Sequence, residues 1–152
     1  MAVKDTKRLE NELKETGSVS QFLVENQENL RERTLADYLA EMLAKKNISK
    51  AEAVRRSKLE PVYAYHIFAG RKKNPSRSKV LALALAMGLT GKEAQRLLYY
   101  AGAEQLYVRN PWDSILLYAL KHHMSVMDAN ALLVKMSEEP LLGSSGHLKK
   151  SL

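Results

Sequence analysis

Two helical patterns, each too short to be stable alone, lie close together between residues 47 and 76 of this 152-residue chain. The stretch reads NISKAEAVRRSKLEPVYAYHIFAGRKKNPS, and only a few residues separate the two patterns. Helices of about two turns are marginal in water unless they bury an apolar face against a neighbour. Such a pair cannot lie flat, so the sequence predicts two helices packed at a steep angle across a tight turn.

Local signals predict where these two helices begin and end. Ser49 and Glu52 form a capping box, in which the Ser side chain accepts from an orphan amide and the Glu side chain reaches back. Pro61 suits the first position of the second helix, because its missing N–H would have no partner there. Gly70 ends that helix. The residues expected to face inward share helical spacing, and they are Ala53, Val54, Ser57, Ala64, Ile67 and Phe68.

The register of this stretch resembles the helix-turn-helix of the Cro and phage-repressor type, often called the XRE family. The resemblance runs from about Thr34 to Thr90 and covers five helices. The positions that carry it are Ser49-Lys50 at the start of helix two, Leu59 in the turn, Ile67 and Gly70 in and after helix three, Pro75-Ser76 before helix four, and the segment KVLALALAMGLT.

Two positions depart from the family pattern. The family has Ala in the middle of helix two and a larger aliphatic residue facing it, whereas this chain has Val54 and Ala64, an exchange that conserves volume. The family also favours Gly in the turn, where this chain has Lys58. The resemblance therefore implies that Lys58 adopts a left-handed conformation, at a cost of roughly 1 kcal/mol relative to Gly.

Further capping signals divide the rest of the chain into helices. Met1 to Gly17 is expected to be an arm or a marginal helix. A second capping box begins at Ser18 and opens a short helix with a partial apolar stripe of Val19, Phe22, Leu23, Asn26 and Leu30. The later helix starts are expected at Thr34, at Asn74 or Ser76, at Thr90, at Asn110 and at Ser125.

The sequence has no strand pattern and no internal repeat, so we expect an all-α fold. It would comprise a five-helix repressor-like helix-turn-helix domain with an N-terminal helix and two extra C-terminal helices. The expected divisions are an arm and short helix over 1–33, the helix-turn-helix domain over 34–102, a two-helix extension over 103–137 and a flexible tail over 138–152. Within the extension, Leu106, Tyr107 and Val108 are expected to fold back onto apolar surface, and the run from Ala129 to Met136 is either buried or paired with another subunit.

The positive charge of the chain is concentrated in the central stretch. The formal net charge is +7, but eleven cations and only two carboxylates lie between Lys45 and Lys79, a local excess of +9 that leaves about −2 for the rest. An excess so one-sided is the electrostatic footprint of a polyanion binder, although a solvated charged face is the alternative.

Several other functions find no support in the composition. The chain has no Cys, and no apolar run approaches the roughly 20 residues that span a bilayer, so we expect a cytoplasmic protein and no membrane partner. His122 and His123 are adjacent on a helix and point about 100° apart, which argues against a shared metal ion. No carboxylate pair or Ser/His/Asp spacing suggests catalysis, and no enzymatic activity or cofactor is expected.

The resemblance implies specific roles for residues of helix three. In the family, the first, second and sixth residues of that helix approach base edges in the major groove, which are Pro61, Val62 and His66 here. Tyr63 and Tyr65 could reach phosphates through their hydroxyls, or could simply be packing residues. Contacts with the DNA backbone are expected from the cations Lys50, Arg71, Lys72 and Lys73.

These observations lead to one expected function and one rival. The expected function is a sequence-specific DNA-binding transcriptional regulator that inserts residues 61–69 into the major groove of double-stranded DNA, and the resemblance implies a homodimer. The rival is a protein-interaction module that uses the same fold and its Tyr-rich helix to bind a protein partner. The rival is favoured by the lack of Arg, Asn or Gln at the base-reading positions, and the positive excess argues against it.

Overall fold

The structure is a computed structural model that describes residues 4–27 and 33–143, and all regular secondary structure in those ranges is α-helical. The all-α fold expected from the sequence is therefore confirmed for this part of the chain. None of the helices there is long and apolar enough to cross a membrane. The helices are α1 (Thr6–Glu15), α2 (Val19–Glu25), α3 (Leu35–Lys46), α4 (Lys50–Ser57), α5 (Pro61–Phe68), α6 (Arg77–Ala86), α7 (Gly91–Tyr100), α8 (Pro111–Lys121) and α9 (Val126–Lys135).

The chain divides into two compact units, Met1–Arg33 and Thr34–Leu152. In the first unit, residues 6–15 form a helix, so of the two alternatives expected for Met1 to Gly17 the helix holds there. Lys4 joins this helix to the next one, because its ammonium group donates to Glu12 and to Asn26, at 2.8 Å each. Ser18 caps α2 by accepting from the amide of residue 21.

The apolar stripe expected on α2 is only partly buried. Phe22 is 6% exposed, but Val19 and Leu23 are 59% and 50% exposed. A helix of seven residues thus buries only part of the stripe. Leu30 lies outside the described residues.

In the second unit, α6 forms the centre of the core. Its residues from Val80 to Ala86 are all buried, and α6 packs against α4, α7, α8 and α9. The two helices of the expected C-terminal extension, α8 and α9, belong to the same core, because Leu116 on α8 and Leu133 on α9 are fully buried in it. A helix that is covered on every side needs apolar residues on every side, which explains the unbroken Leu and Ala run of α6.

Capping interactions begin most of the helices at the expected residues. Thr34 and Thr90 form complete capping boxes with Asp37 and Glu93, and Asn110 and Ser125 cap α8 and α9. At α4 only half of the expected box forms: the Ser49 side chain accepts from the amide of residue 52 at 3.1 Å. The Glu52 carboxylate instead accepts from Arg55 and Arg56 one turn further along, since charged donors outcompete a neutral amide.

Asn74 is one of the two residues at which the helix after α5 was expected to begin, but it does not cap α6. Ser76 begins α6, but its side chain makes no capping hydrogen bond. The Asn74 side-chain amide donates to the carbonyl of Ala101 at 2.9 Å and so satisfies the end of α7. A Cβ atom at Gly102, whose φ is +72°, would lie 2.9 Å from the Asn74 side-chain nitrogen, so a larger residue there would displace Asn74.

The backbone between α4 and α5 has the expected conformation. Lys58 has φ +62°, which is left-handed, and Gly70 after α5 has φ +84°. Val54 and Ala64 are both buried, at 4% and 0% exposure, on helices that pack against each other.

Two expectations for the C-terminal part are wrong. Leu106 is buried, but Tyr107 and Val108 are 59% and 68% exposed, so only the first of the three folds back. The tail was expected to be flexible from residue 138, yet Leu141 is 2% exposed and the amide of Leu142 donates to the Asn130 side chain. The rest of the tail, 144–152, lies outside the described residues.

Candidate nucleic-acid interface

The outward face of α5 is open to solvent. Ala64, Ile67 and Phe68 anchor the helix in the core. Residues three and four apart share a helix face, and on the opposite side Val62 is 59% exposed and Tyr65 is 41% exposed. Pro61 and Ala69 are exposed, and His66 is half-buried. The three residues predicted to read bases, Pro61, Val62 and His66, therefore lie at or near one accessible helix face.

An acidic residue, Glu60, caps the start of α5. The Glu60 carboxylate accepts from the amides of Val62 and Tyr63, at 3.2 Å and 2.9 Å. Amides at a helix start can bind a phosphate, but these two already have an anionic partner. Any approach of a polyanion to α5 must therefore use its side-chain face rather than its N-terminal end. The signal was present in the sequence as an acid directly before Pro61.

Three of the predicted phosphate-binding cations follow α5 directly. Arg71, Lys72 and Lys73 are all exposed. The amides of Arg71 and Lys72 both donate to the carbonyl of His66, at 2.9 Å and 3.2 Å. These two hydrogen bonds tie the basic segment to the last turn of α5. Lys50, the fourth predicted cation, is exposed at the start of α4.

Tyr63 and Tyr65 have different surroundings. Tyr63 is half-buried against the core, and this burial raises the pKa of its hydroxyl. The ammonium groups of Lys79 and Lys72 lie 4.4 Å and 5.5 Å from the centroid of its ring. The packing interpretation therefore fits Tyr63, whereas Tyr65 is exposed and free to reach a partner.

Five of the eleven cations in the central stretch form ion pairs within the protein. Lys45 and Lys46 pair with Glu93, and Arg77 pairs with Asp113. The other two are Arg55 and Arg56, which pair with Glu52. No carboxylate in the described residues pairs with the remaining six, which are Lys50, Lys58, Arg71, Lys72, Lys73 and Lys79. The positive charge thus comprises five cations that stabilise the fold and six that are left to interact with a partner. The sequence alone does not distinguish the two groups.

Arg77 shows what the structural part does. Its guanidinium binds both oxygens of Asp113, at 2.7 Å and 2.8 Å, and also donates to the carbonyls of Glu104 and Gln105. Burial by itself would raise the pKa of the Asp113 carboxyl, but the bonds from Arg77 and from the Tyr107 amide outweigh it and lower the pKa. Arg77 therefore fastens the loop between α7 and α8 to the core.

A second buried carboxylate joins α3 to α7. Glu93 is 9% exposed, and the ammonium groups of Lys45 and Lys46 lie 2.6 Å and 2.9 Å from its oxygens. Burial alone would raise its pKa. The bonds from Lys45, from the Thr90 amide and from Lys46 outweigh burial and bring the pKa to about 2. These two ion pairs hold α3 against α7, and Lys45 and Lys46 are therefore neutralised within the protein.

The two adjacent histidines do not lie in a ligand cluster. His122 ends α8 and its ring contacts that of Tyr118, at 4.2 Å between centroids. His123 has a left-handed backbone in the turn that follows. Across residues 4–27 and 33–143, no group of three or more His, Cys, Asp or Glu side chains is placed to hold a metal ion.

Comparison with protein family models, with curated proteins and with solved structures finds no match to this chain. The exposed face of α5 and the six unpaired cations are therefore the features from which a function can be inferred.

Proposed function

We propose that this protein is a sequence-specific DNA-binding transcriptional regulator of the XRE type, with α4 and α5 as its helix-turn-helix. In this proposal α5, together with Ala69, enters the major groove of double-stranded DNA. The single observation that carries the proposal is the combination of an exposed α5 face with six unpaired cations before and after that helix along the chain. An α-helix fits the major groove, which is about 12 Å wide.

The proposed roles separate base reading from backbone contact. Val62 can place its methyl groups against a thymine methyl, and His66 can exchange a hydrogen bond with a purine edge. Tyr65 joins them on the exposed face. Lys50, Arg71, Lys72 and Lys73 would contact phosphates, which position the protein without reading sequence. The Glu60 carboxylate supports this division, because it disfavours a phosphate at the start of α5.

The proposal includes a cytoplasmic homodimer that acts by binding and not by catalysis. A single helix with no bidentate reader discriminates few base pairs, so two copies on a two-fold site would multiply its specificity. Exposed apolar residues at the C-terminal end of α9 offer a contact: Val134 and Met136, the residue that ends the helix, are 57% and 55% exposed. Truncation of the helices would not test this contact, because α8 and α9 contribute buried residues to the core.

A single substitution tests the dimer instead. Val134→Lys should convert the dimer to a monomer in sedimentation at micromolar concentration, because it places a charge in the apolar contact. Val108→Lys is the matched control, since Val108 is 68% exposed in a loop outside α9. A wild-type protein that sediments as a monomer with and without DNA would exclude the dimer.

The DNA-binding proposal is tested by selection from a random pool of duplexes, followed by affinity measurements at one fixed salt concentration. The wild type should bind the selected sequence more tightly than random duplex. Lys50→Ala, Arg71→Ala and Lys73→Ala should each weaken both duplexes alike. Each should also reduce the slope of log affinity against log salt by about 0.9, the value for one lost phosphate contact. Lys92→Ala, an exposed cation on α7, should leave the slope unchanged.

One observation keeps the rival function open as an outcome of this test. Val62 and Tyr65 present apolar and aromatic surface, which is enriched in the centres of protein interfaces. A wild type that binds no duplex, selected or random, would move the protein-interaction module ahead.

A further inference from the structure

A cleft of about 560 Å³ lies between the end of α4, the end of α6 and the start of α9. None of the residues assigned above to DNA contact lines it. Pockets of roughly 300–1,000 Å³ are the size that binds small organic molecules. The cleft is therefore large enough for a ligand of its own.

The α4 side of the cleft is cationic. Arg55, Arg56 and Lys58 line it, and no carboxylate is among the described residues that do so. Arg55 is already held through two of its nitrogens by Glu52. Arg56 donates to Glu52 only through Nε, at 2.7 Å, and Lys58 has no ion pair in the described part of the chain. The terminal nitrogens of Arg56 and the ammonium of Lys58 are thus available to an anion.

The opposite side is mostly apolar and contains three methionines, and its polar residues are His123 and Ser125. Leu85 lies in the last turn of α6 and Met87 directly follows that helix, whereas Met124 lies in the turn before α9 and Met127 in its first turn. Methionine has a flexible, polarizable side chain that adapts to differently shaped apolar groups. Met127 is 61% exposed, so this wall is accessible from solvent.

We propose that the cleft binds a small organic anion with an apolar body. Its carboxylate, sulfonate or phosphate head would lie against Arg56 and Lys58, and its body against the methionine wall. The charge of one wall selects the head, and the other wall contributes the burial of apolar surface. A neutral apolar molecule would contact the methionine wall but would leave Arg56 and Lys58 without an anionic partner.

The position of Lys58 gives such a ligand a route to regulation. Lys58 is the left-handed residue between α4 and α5, and it is also one of the six unpaired cations. A ligand that binds Lys58 neutralises a charge next to the proposed recognition helix, and DNA would lower the affinity of the ligand by the same factor. This coupling rests on the proposed DNA binding, whereas the site itself does not.

The site is tested by titrating the full-length protein with anilinonaphthalene sulfonate, a fluorescent anion with an apolar body. Binding should saturate at one molecule per chain. Arg56→Gln and Lys58→Gly should each raise Kd by about tenfold, the scale of one lost charged contact. Arg56→Lys should preserve most of the affinity, and Arg71→Gln, outside the cleft, should leave Kd unchanged. Equal Kd for the wild type and both cleft variants would overturn the site.

Displacement of the dye separates the possible occupants. Decanoate should displace it, and decanol at equal concentration should not. If decanoate and decanol displace the dye equally, the cleft is a purely apolar groove. If the dye dissociates a dimer, a second copy of the chain fills the cleft. Either result overturns the proposal. Proteins that have lost their tertiary packing also bind this dye. Each variant must therefore retain the near-ultraviolet circular dichroism of the wild type. Dye binding that is seen only when this signal is lost would also overturn the site.

A DNA arm tests the coupling separately. If the wild type binds its selected duplex, decanoate should weaken that binding in the wild type and not in Lys58→Gly. If the wild type binds no duplex, the proposed function fails while the dye titration still decides the cleft. An unchanged DNA affinity at saturating decanoate would overturn the regulatory role.

Discussion

The ammonium nitrogen of Lys79 lies 4.4 Å from the centroid of the Tyr63 ring, within the range of a cation–π interaction. Lys72 approaches the same ring, at 5.5 Å. One lysine follows α5 and the other lies in the first turn of α6. The ring therefore restrains two cations from different elements, and it does so through its face rather than through its hydroxyl.

This relationship predicts different results for two substitutions of Tyr63. Tyr63→Phe keeps the ring and should leave DNA affinity unchanged. Tyr63→Leu removes the ring and should weaken selected and random duplex alike, by about 0.5–1 kcal/mol for each cation that loses its restraint. The measurement is affinity for both duplexes at one salt concentration. A Tyr63→Phe variant as weak as Tyr63→Leu would show instead that the hydroxyl makes the contact.

Lys58 gives a prediction about the backbone. A non-glycine residue at φ +62° carries a strain of roughly 1 kcal/mol that glycine does not. Relief of this strain by Lys58→Gly stabilises the folded state, whereas the added freedom of the unfolded chain offsets part of the gain. The free energy of unfolding should therefore be unchanged or should rise by up to about 1 kcal/mol. Lys58→Ala removes the charge but keeps the strain, so it should be no more stable than the wild type. Denaturant unfolding of both variants decides this; a glycine variant less stable than the wild type, or less stable than the alanine variant, would contradict it.

Glu93 gives a prediction about acid stability. Its pKa is lowered in the folded protein to about 2 from an ordinary value of 4.5, so the folded state favours the charged form. The resulting stabilisation is complete above about pH 4.5 and is lost as the pH falls toward 2. Its magnitude is on the order of 2 kcal/mol, because the exposure of Lys45 weakens one of the pairs.

The test compares Glu93→Gln with the wild type across this range. Glutamine can still accept from the Thr90 amide, so the substitution removes the charge and retains the cap. The variant should be less stable by about 2 kcal/mol at pH 7, and the difference should shrink as the pH approaches 2. A difference that stays constant from pH 7 to pH 2.5 would exclude the ion pair as its cause.

The sequence predicts the parts of this fold that depend on neighbouring residues. The caps at Thr34, Thr90 and Asn110 are each formed by a side chain and an amide three residues later, so a short pattern contains both partners. The left-handed conformation of Lys58 is what the family resemblance implies, and the structure has it, with φ +62°. The exposed face of α5 follows from the spacing of Ala64, Ile67 and Phe68, although the resemblance was needed to give that face a role.

Partners that are far apart in sequence could not be predicted this way. Asp113 binds Arg77 from 36 residues away, and Glu93 binds Lys45 from 48 residues away. Both cations contribute to the segment charge of +9 that predicts a polyanion binder, because net charge along a segment does not reveal which charges are neutralised in the fold. The burial of Leu141 is also determined by residues distant in sequence. The start of the flexible tail was for this reason placed at residue 138, although the chain is still packed against the core at Leu141.

The last prediction concerns base reading by α5. His66 is half-buried on the outward side of the helix, and its side chain has no hydrogen bond within the described residues. His66→Ala should cost about 1–3 kcal/mol on the selected duplex and much less on random duplex, relaxing the preference at one base position. Val62→Ala should act at a neighbouring position with a smaller loss, because it removes only methyl contact. His122→Ala, a substitution at an exposed histidine on the end of α8, is the matched control and should change neither affinity. Equal losses on both duplexes for His66→Ala would mean that α5 contacts DNA without reading it.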